Sequence, residues 1–272
     1  MRNLFFVMMC LMGMMSSSFA GITITQDGTI IENQYVTGQI SIEANNCIIR
    51  NCYIDVGDGI NGSWYGIHAA NWDSNGNPFT GNLIENCEIE GAVSSGVFVH
   101  YTTVRRNNIH DCGADAIKAR SGSLIEYNWC HNIGIGPNAH ADCLQIRFGS
   151  NIEVRYNWFD IPVADTAGGY KSNACIIFGS LLKDSRNINI HHNRMEGGNY
   201  TVYLEDSNGY SLTNVKLHDN YFGPDFKYGV LTGKSPYNWR QRRISIDRNY
   251  WFDGTLMNSG PFDINNWDGD NK

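Results

Sequence analysis

Apolar residues recur on alternate positions in short runs along this chain, as in Ile152-Glu153-Val154, Ile188-Asn189-Ile190, Val215-Lys216-Leu217 and Ile244-Ser245-Ile246. Period two sends one residue inward and the next outward, which predicts half-buried strands; an amphipathic helix would instead show apolar spacing of i, i+3, i+4. An asparagine follows each run, three places after an aliphatic residue: Ile48/Asn51, Leu83/Asn86, Val104/Asn107, Ile125/Asn128, Val154/Asn157, Ile190/Asn193, Leu217/Asn220 and Ile246/Asn249. These asparagines lie 21 to 36 residues apart. Such a repeat predicts stacked coils whose units bury their apolar faces only against each other. An inward amide at each corner would satisfy its own turn and bond the same amide one coil away, at the strand spacing of about 4.8 Å.

Each coil divides into three strands. The first is short and apolar, at residues 96–99, 116–119, 143–146, 175–178, 201–204 and 229–232. The second ends at the asparagine, and the third, such as residues 158–161, follows directly. Long irregular stretches, including residues 134–140 and 162–173, then lead to the next first strand. Variable insertions on one corner of a regular scaffold are where such architectures carry function.

The first twenty residues read as an export signal, with Arg2 before an apolar run from Leu4 to Met15 and small residues around Ala20. The run is short for a membrane span, so a secreted or periplasmic chain is expected, free of the membrane once the signal is cleaved; a retained anchor is the alternative. Residues 21–272 then form one domain. Loss of Arg2 takes the formal charge from −7 to −8. An acidic, Gly-rich, aromatic-rich exported chain argues against nucleic acid as partner. Cys52 and Cys87 should be coil neighbours, as should Cys143 and Cys175, either as disulfides or as stacked thiols. No C-x-x-C pair supports zinc through cysteine.

The three-strand order, the asparagine after the second strand and the long loops before the first resemble the pectate-lyase-like right-handed parallel β-helix superfamily, over about residues 22 to 255. The resemblance implies an all-β, single-stranded right-handed parallel β-helix of about eight to nine coils with an internal Asn ladder. Activity is less closely implied, because the superfamily includes lyases, glycosidases, phage spikes and adhesins. The segment from His140 through Asp142 to Gln145 also resembles an H-x-D-x-x-Q pattern of exported β-helix proteins.

Sugar-cleaving members of that superfamily use the outer face of the first sheet. Aligning the first strands gives an inward column of Val97, Ile117, Leu144, Ile176, Val202 and Val230. One outward column reads His68, Phe98, Lys118, Gln145, Ile177, Tyr203, Leu231, and the next Ala70, His100, Arg120, Arg147, Gly179, Glu205, Gly233. Three cations, Lys118, Arg120 and Arg147, should therefore share one wall, and on an acidic chain they imply an anionic substrate. A uronate polymer fits: Arg120 and Arg147 would neutralise its carboxylate, Lys118, its pKa lowered by the guanidinium groups, would remove the C5 proton, and Tyr203 or His140 would protonate the leaving oxygen. Gln145, His100 and Glu205 would line the substrate, with Trp64 and Tyr65 stacking on sugar rings from the insertion at residues 55–81.

Asp115 and Asp142 start consecutive first strands. They would hold Ca²⁺, serve as a glycosidase carboxylate pair, or cap the strand entries. The close Asp-Asp doublet and the HG and RxK elements of polygalacturonase-type hydrolases are missing. No motif calls for an organic cofactor. Trp129 and Trp158, like Tyr221 and Tyr250, should stack as structural columns rather than bind sugar, while the spacing of His110, Asp111 and His131, on or near the third strand and away from the wall, allows a metal site, with solvated surface as the expectation. The expectation is an exported polysaccharide lyase acting on an acidic polymer, with a glycoside hydrolase and a non-catalytic glycan-binding or adhesive β-helix, monomeric or trimeric, as alternatives.

Overall fold

Strand alternation builds the whole molecule. The structure is a computed structural model that describes residues 18–163, 169–205, 210–233 and 244–257. The chain winds through three parallel sheets of nine, nine and ten strands, and neighbours in each sheet come from successive coils. The first sheet contains Tyr65–Ala69, Ser95–Val99, Asp115–Ala119, Ala141–Ile146, Ser172–Gly179, Tyr200–Glu205 and Gly229–Gly233 in that order. Parallel strands cannot be joined by tight hairpins, and here the other two sheets supply each crossover.

The interior is a continuous aliphatic column. Ile67, Val97, Ile117, Leu144, Ile176 and Val202 are all fully buried. The last first-sheet strand sits one residue away from the expected register. Leu231, not Val230, pairs with Val202, and Thr232, not Leu231, pairs with Tyr203.

At the corner between second and third strands, one residue per coil adopts the left-handed conformation. Asn33, Asn51, Asn86, Arg106, Tyr127, Tyr156, His192, Asp219 and Arg248 have φ between 47° and 57°. The next residue turns inward. From Asn107 onward it is asparagine, and each Nδ2 donates to Oδ1 of the next coil's asparagine at 2.9–3.0 Å, through Asn128, Asn157, Asn193 and Asn220 to Asn249. Each amide also donates to a second-strand carbonyl of the preceding coil, as Asn157 does to Ile125 O. Buried groups that the turn removes from the ladder thus regain partners.

Two expected members do not belong to this ladder. Ile84 pairs with Val104 and Ile49 with Ile84, so Cys87 and Cys52 occupy the inward position above Asn107. The backbone N–H of Cys87 donates to Asn107 Oδ1. Asn86 and Asn51 are the left-handed residues just before, a conformation asparagine tolerates well.

The seven described cysteines are buried free thiols. Cys143 and Cys175 are neighbours whose thiols interact without a disulfide, and their Sγ atoms also donate to the carbonyls of Cys130 and Glu196. Residues 1–17 of the expected export signal lie outside the described residues, as does the tail at 258–272. Ser18–Phe19 pairs with Tyr35–Val36 as the first strand of the third sheet.

Candidate functional site

The outer wall of the first sheet is organised by contacts between residues three apart. Strict alternation would send such residues to opposite faces. Here Ala116 and Ile117 are both fully buried, as are Cys143 and Leu144. Two consecutive inward residues return the flanking positions to the same side. Four coils consequently present Tyr65 against His68, Asp115 against Lys118, Asp142 against Gln145, and Tyr200 against Tyr203.

In the two central coils this contact is polar. Lys118 Nζ lies 3.3 Å from Asp115 Oδ2 and donates to Ser94 Oγ at 2.6 Å. Asp115 Oδ1 accepts the backbone N–H of Asp142 at 2.9 Å, capping the next strand's entry. Asp142 accepts from Asn173 Nδ2 at 2.8 Å and from Gln145 Nε2 at 3.3 Å. Asp115 and Asp142 are sealed from solvent, whereas the Lys118 side chain keeps 17% of its surface exposed. Burial raises the Asp115 carboxyl against the lowering pull of Lys118. Asp142 is raised further, by burial first and by the charge of Asp115 second. Lys118 is thus the partly exposed member of a buried carboxyl network.

Of the three cations expected on this wall, Arg120 and Arg147 are neighbours, but Arg120 is withdrawn from the surface. Arg120 is only 8% exposed, donates Nη1 to its neighbour's carbonyl at Ala119, and lies between the rings of Phe98 and Phe148 at 5.0 and 4.5 Å. Burial, then Arg147, pulls its pKa down to about 10. A guanidinium clamped between two rings cannot meet a substrate carboxylate, so Arg120 supports the wall from beneath. Lys118 faces the carboxylate of Asp115 rather than two guanidinium groups. Arg147 is different. It is half-buried, and its Nε is enclosed with no hydrogen-bond partner. An unpaired buried donor on a cation is costly unless an anion completes it.

Tyr203 is half-buried, and burial pushes its phenol up to about 12, with Tyr200, Asp142 and Glu205 adding to the effect. His140 is exposed on the loop just before Asp142, and Glu205 is half-buried on the strand of Tyr203. His100 lies between Tyr101 and Trp72, at 4.4 and 5.3 Å, with Nδ1 buried and unpartnered. Burial and then Arg120 push its pKa down to about 4. Trp64 is 60% exposed, as expected of a loop aromatic. Tyr65 belongs to the sheet itself, stacked on His68 at 4.9 Å. Sequence reasoning missed Ser94, whose hydroxyl fixes Lys118, and Phe148, which covers Arg120; neither falls on an aligned column.

The Asp115–Asp142 pair does not fit Ca²⁺. An ammonium and amide N–H groups already point at its oxygens, where a calcium shell needs six to eight oxygen donors. The aromatic columns do stack: Trp129 on Trp158 at 5.4 Å, and Tyr221 on Tyr250 at 5.5 Å.

The chain matches the protein-family model described as right handed beta helix region over residues 60–249. The chain belongs to that family, and its three parallel sheets are those of a right-handed parallel β-helix. No curated protein matches the chain.

Proposed function

We propose that this right-handed β-helix protein is an exported enzyme that cleaves an acidic polysaccharide by β-elimination on the outer wall of the first sheet. The observation that carries this reading is the presence of two cations, Lys118 and Arg147, on adjacent coils of the first sheet's outer wall. Lys118 is held by Asp115 and Ser94 with 17% of its side chain exposed, and the half-buried Arg147 has an Nε–H with no partner.

Arg147 would take the uronate carboxylate, withdrawing charge so that the C5 proton becomes acidic. Lys118 would remove that proton as a neutral amine. Burial raises the Asp115 carboxyl, which lessens the cost of passing the ammonium proton to it. Loss of the C5 proton and of the C4 oxygen leaves a C4=C5 double bond. Tyr203, whose raised phenol stays protonated, or exposed His140 would supply the leaving oxygen's proton. Gln145, Glu205, His100, Trp64 and Tyr65 would contact flanking sugars.

The raised carboxyl of Asp142 favours a second reading, a glycoside hydrolase with Asp115 and Asp142 as its acid and base. Their complete burial weighs against it, because neither reaches a glycosidic oxygen. The two readings separate by product. A panel of acidic and neutral polysaccharides, followed by ultraviolet absorbance and by reducing ends, should give both signals with a uronate polymer. Reducing ends without absorbance would favour the hydrolase, and binding without either signal would favour an adhesive role.

A further inference from the structure

On the opposite flank, the strands of the third sheet end in a column of ionisable residues. Asp55, Glu90, His110, His131 and Asp160 follow one another from coil to coil by strand register. Solvated surface is the expectation from sequence for His110 and Asp111, with a metal site as the alternative, and His110 proves to be 8% exposed and wedged among acids. Its Nδ1 lies 2.7 Å from Asp111 Oδ2 and 3.4 Å from Glu90 Oε2, and its Nε2 lies 3.3 Å from Glu88 Oε1. Ring stacking on His131 at 5.0 Å keeps the imidazole in this plane.

A neutral imidazole has one N–H to share between these two sides. If Nε2–H is donated to Glu88, the Nδ1 lone pair faces two carboxylate oxygens with nothing between them. Three acceptors converging on one point repel each other unless a cation occupies it. Glu90 is prepared for this, because its other oxygen accepts from the Tyr53 hydroxyl, leaving Oε2 turned to the imidazole. The one cluster among the described residues whose ligand atoms all lie within 4.8 Å of one another is Glu90, His110 and Asp111.

We propose that Glu90 Oε2, His110 Nδ1 and Asp111 Oδ2 form a Zn²⁺ site that ties two coils of the third sheet together, with Glu88 as the outer partner that orients the histidine. One imidazole and two carboxylates suit a borderline ion such as Zn²⁺ better than Ca²⁺, which prefers all-oxygen shells. Tetrahedral zinc with bonds of about 2.0–2.2 Å keeps its ligand atoms roughly 3.3 Å apart. The Glu90 separation already matches. Asp111 stands closer, but its side chain is 48% exposed and has room to draw back. Water would fill the fourth position. The Glu88–His110 contact is the carboxylate–histidine arrangement that fixes the tautomer at metal centres.

The test is titration calorimetry and thermal melting of the chelator-stripped full chain with zinc chloride and, separately, calcium chloride. One zinc per chain is expected, bound more tightly than calcium, with a rise in melting temperature. Asp111 has φ 49°, a left-handed conformation asparagine also adopts, so Asp111→Asn should leave the metal-free melting temperature unchanged while weakening zinc by about tenfold or more; Glu88→Gln should weaken it by about 10–100-fold. Absence of saturable zinc binding would overturn the proposal. Equal zinc affinity in wild type, Asp111→Asn and Glu90→Gln would also overturn it, since the ion would then sit elsewhere.

Discussion

Asp115 holds Lys118 of its own strand through one carboxylate oxygen, at 3.3 Å, and the backbone of Asp142 in the next coil through the other, at 2.9 Å. One buried side chain thereby fixes both the proposed base and the entry of the neighbouring strand. Removing only the cation would strand that carboxylate. Lys118→Met should cost about 3 kcal/mol at neutral pH. The loss should shrink toward pH 4, where the abandoned carboxyl takes up a proton. Urea melts at the two pH values check this, and an equal loss at both would contradict it.

His100 gives the fold an acid sensitivity. Its folded pKa is about 4, against 6.5 for the free side chain. Between these values the unfolded chain binds more protons, so stability rises with pH. The contribution is intact above about pH 6.5 and is lost as pH falls toward 4. His100→Phe should flatten the fall in urea midpoint between pH 7 and pH 4.5. Parallel profiles for variant and wild type would show that His100 does not carry it.

The ladder register can be read from two substitutions. Asn157 bonds Ile125 O and the amide of Asn193, and accepts from Asn128. Asn157→Ala strands several buried groups at once and should cost about 3 kcal/mol or more. Asn86 holds only a left-handed turn position. Asn86→Gly should stay within about 1 kcal/mol of wild type, because glycine adopts that conformation freely. Comparable losses in the two variants would return Asn86 to the ladder.

Alternation and repeat length made the architecture legible, because both are direct consequences of stacking strands around an apolar core. The register of the first coils was not. Ile48-Ile49 and Leu83-Ile84 are apolar doublets, and either residue satisfies an aliphatic-x-x-Asn pattern. Burial separates them: Ile49 and Ile84 are fully enclosed, while Leu83 faces outward. The wall was legible in outline, since Lys118, Gln145 and Tyr203 do share one outward column. The pairing of Lys118 with Asp115 was hidden, because residues three apart meet only where two consecutive residues turn inward. Arg120 misled for a related reason. Strand position says which way a side chain leaves the backbone, but Phe98 and Phe148 decide where its end comes to rest.

Arg147 tests the anion side of the chemistry. It makes no contribution to the buried carboxyl network, so Arg147→Ala should leave the fold intact. Turnover of a uronate polymer should fall by about 10²–10³-fold. Arg248, exposed and paired to Asp219 on another corner, is the control. Arg248→Ala should change turnover little.

The most direct measurement is the rate of ultraviolet-absorbing product from an acidic polysaccharide by the double variant Asp115→Asn/Lys118→Met. Replacing both partners of a buried pair avoids the stranded charge, so this protein should melt near the wild type. The account predicts a folded protein that binds the polymer and forms no unsaturated product. Unsaturated product at the wild-type rate would contradict it, because the amine at Lys118 would then have no part in taking the C5 proton.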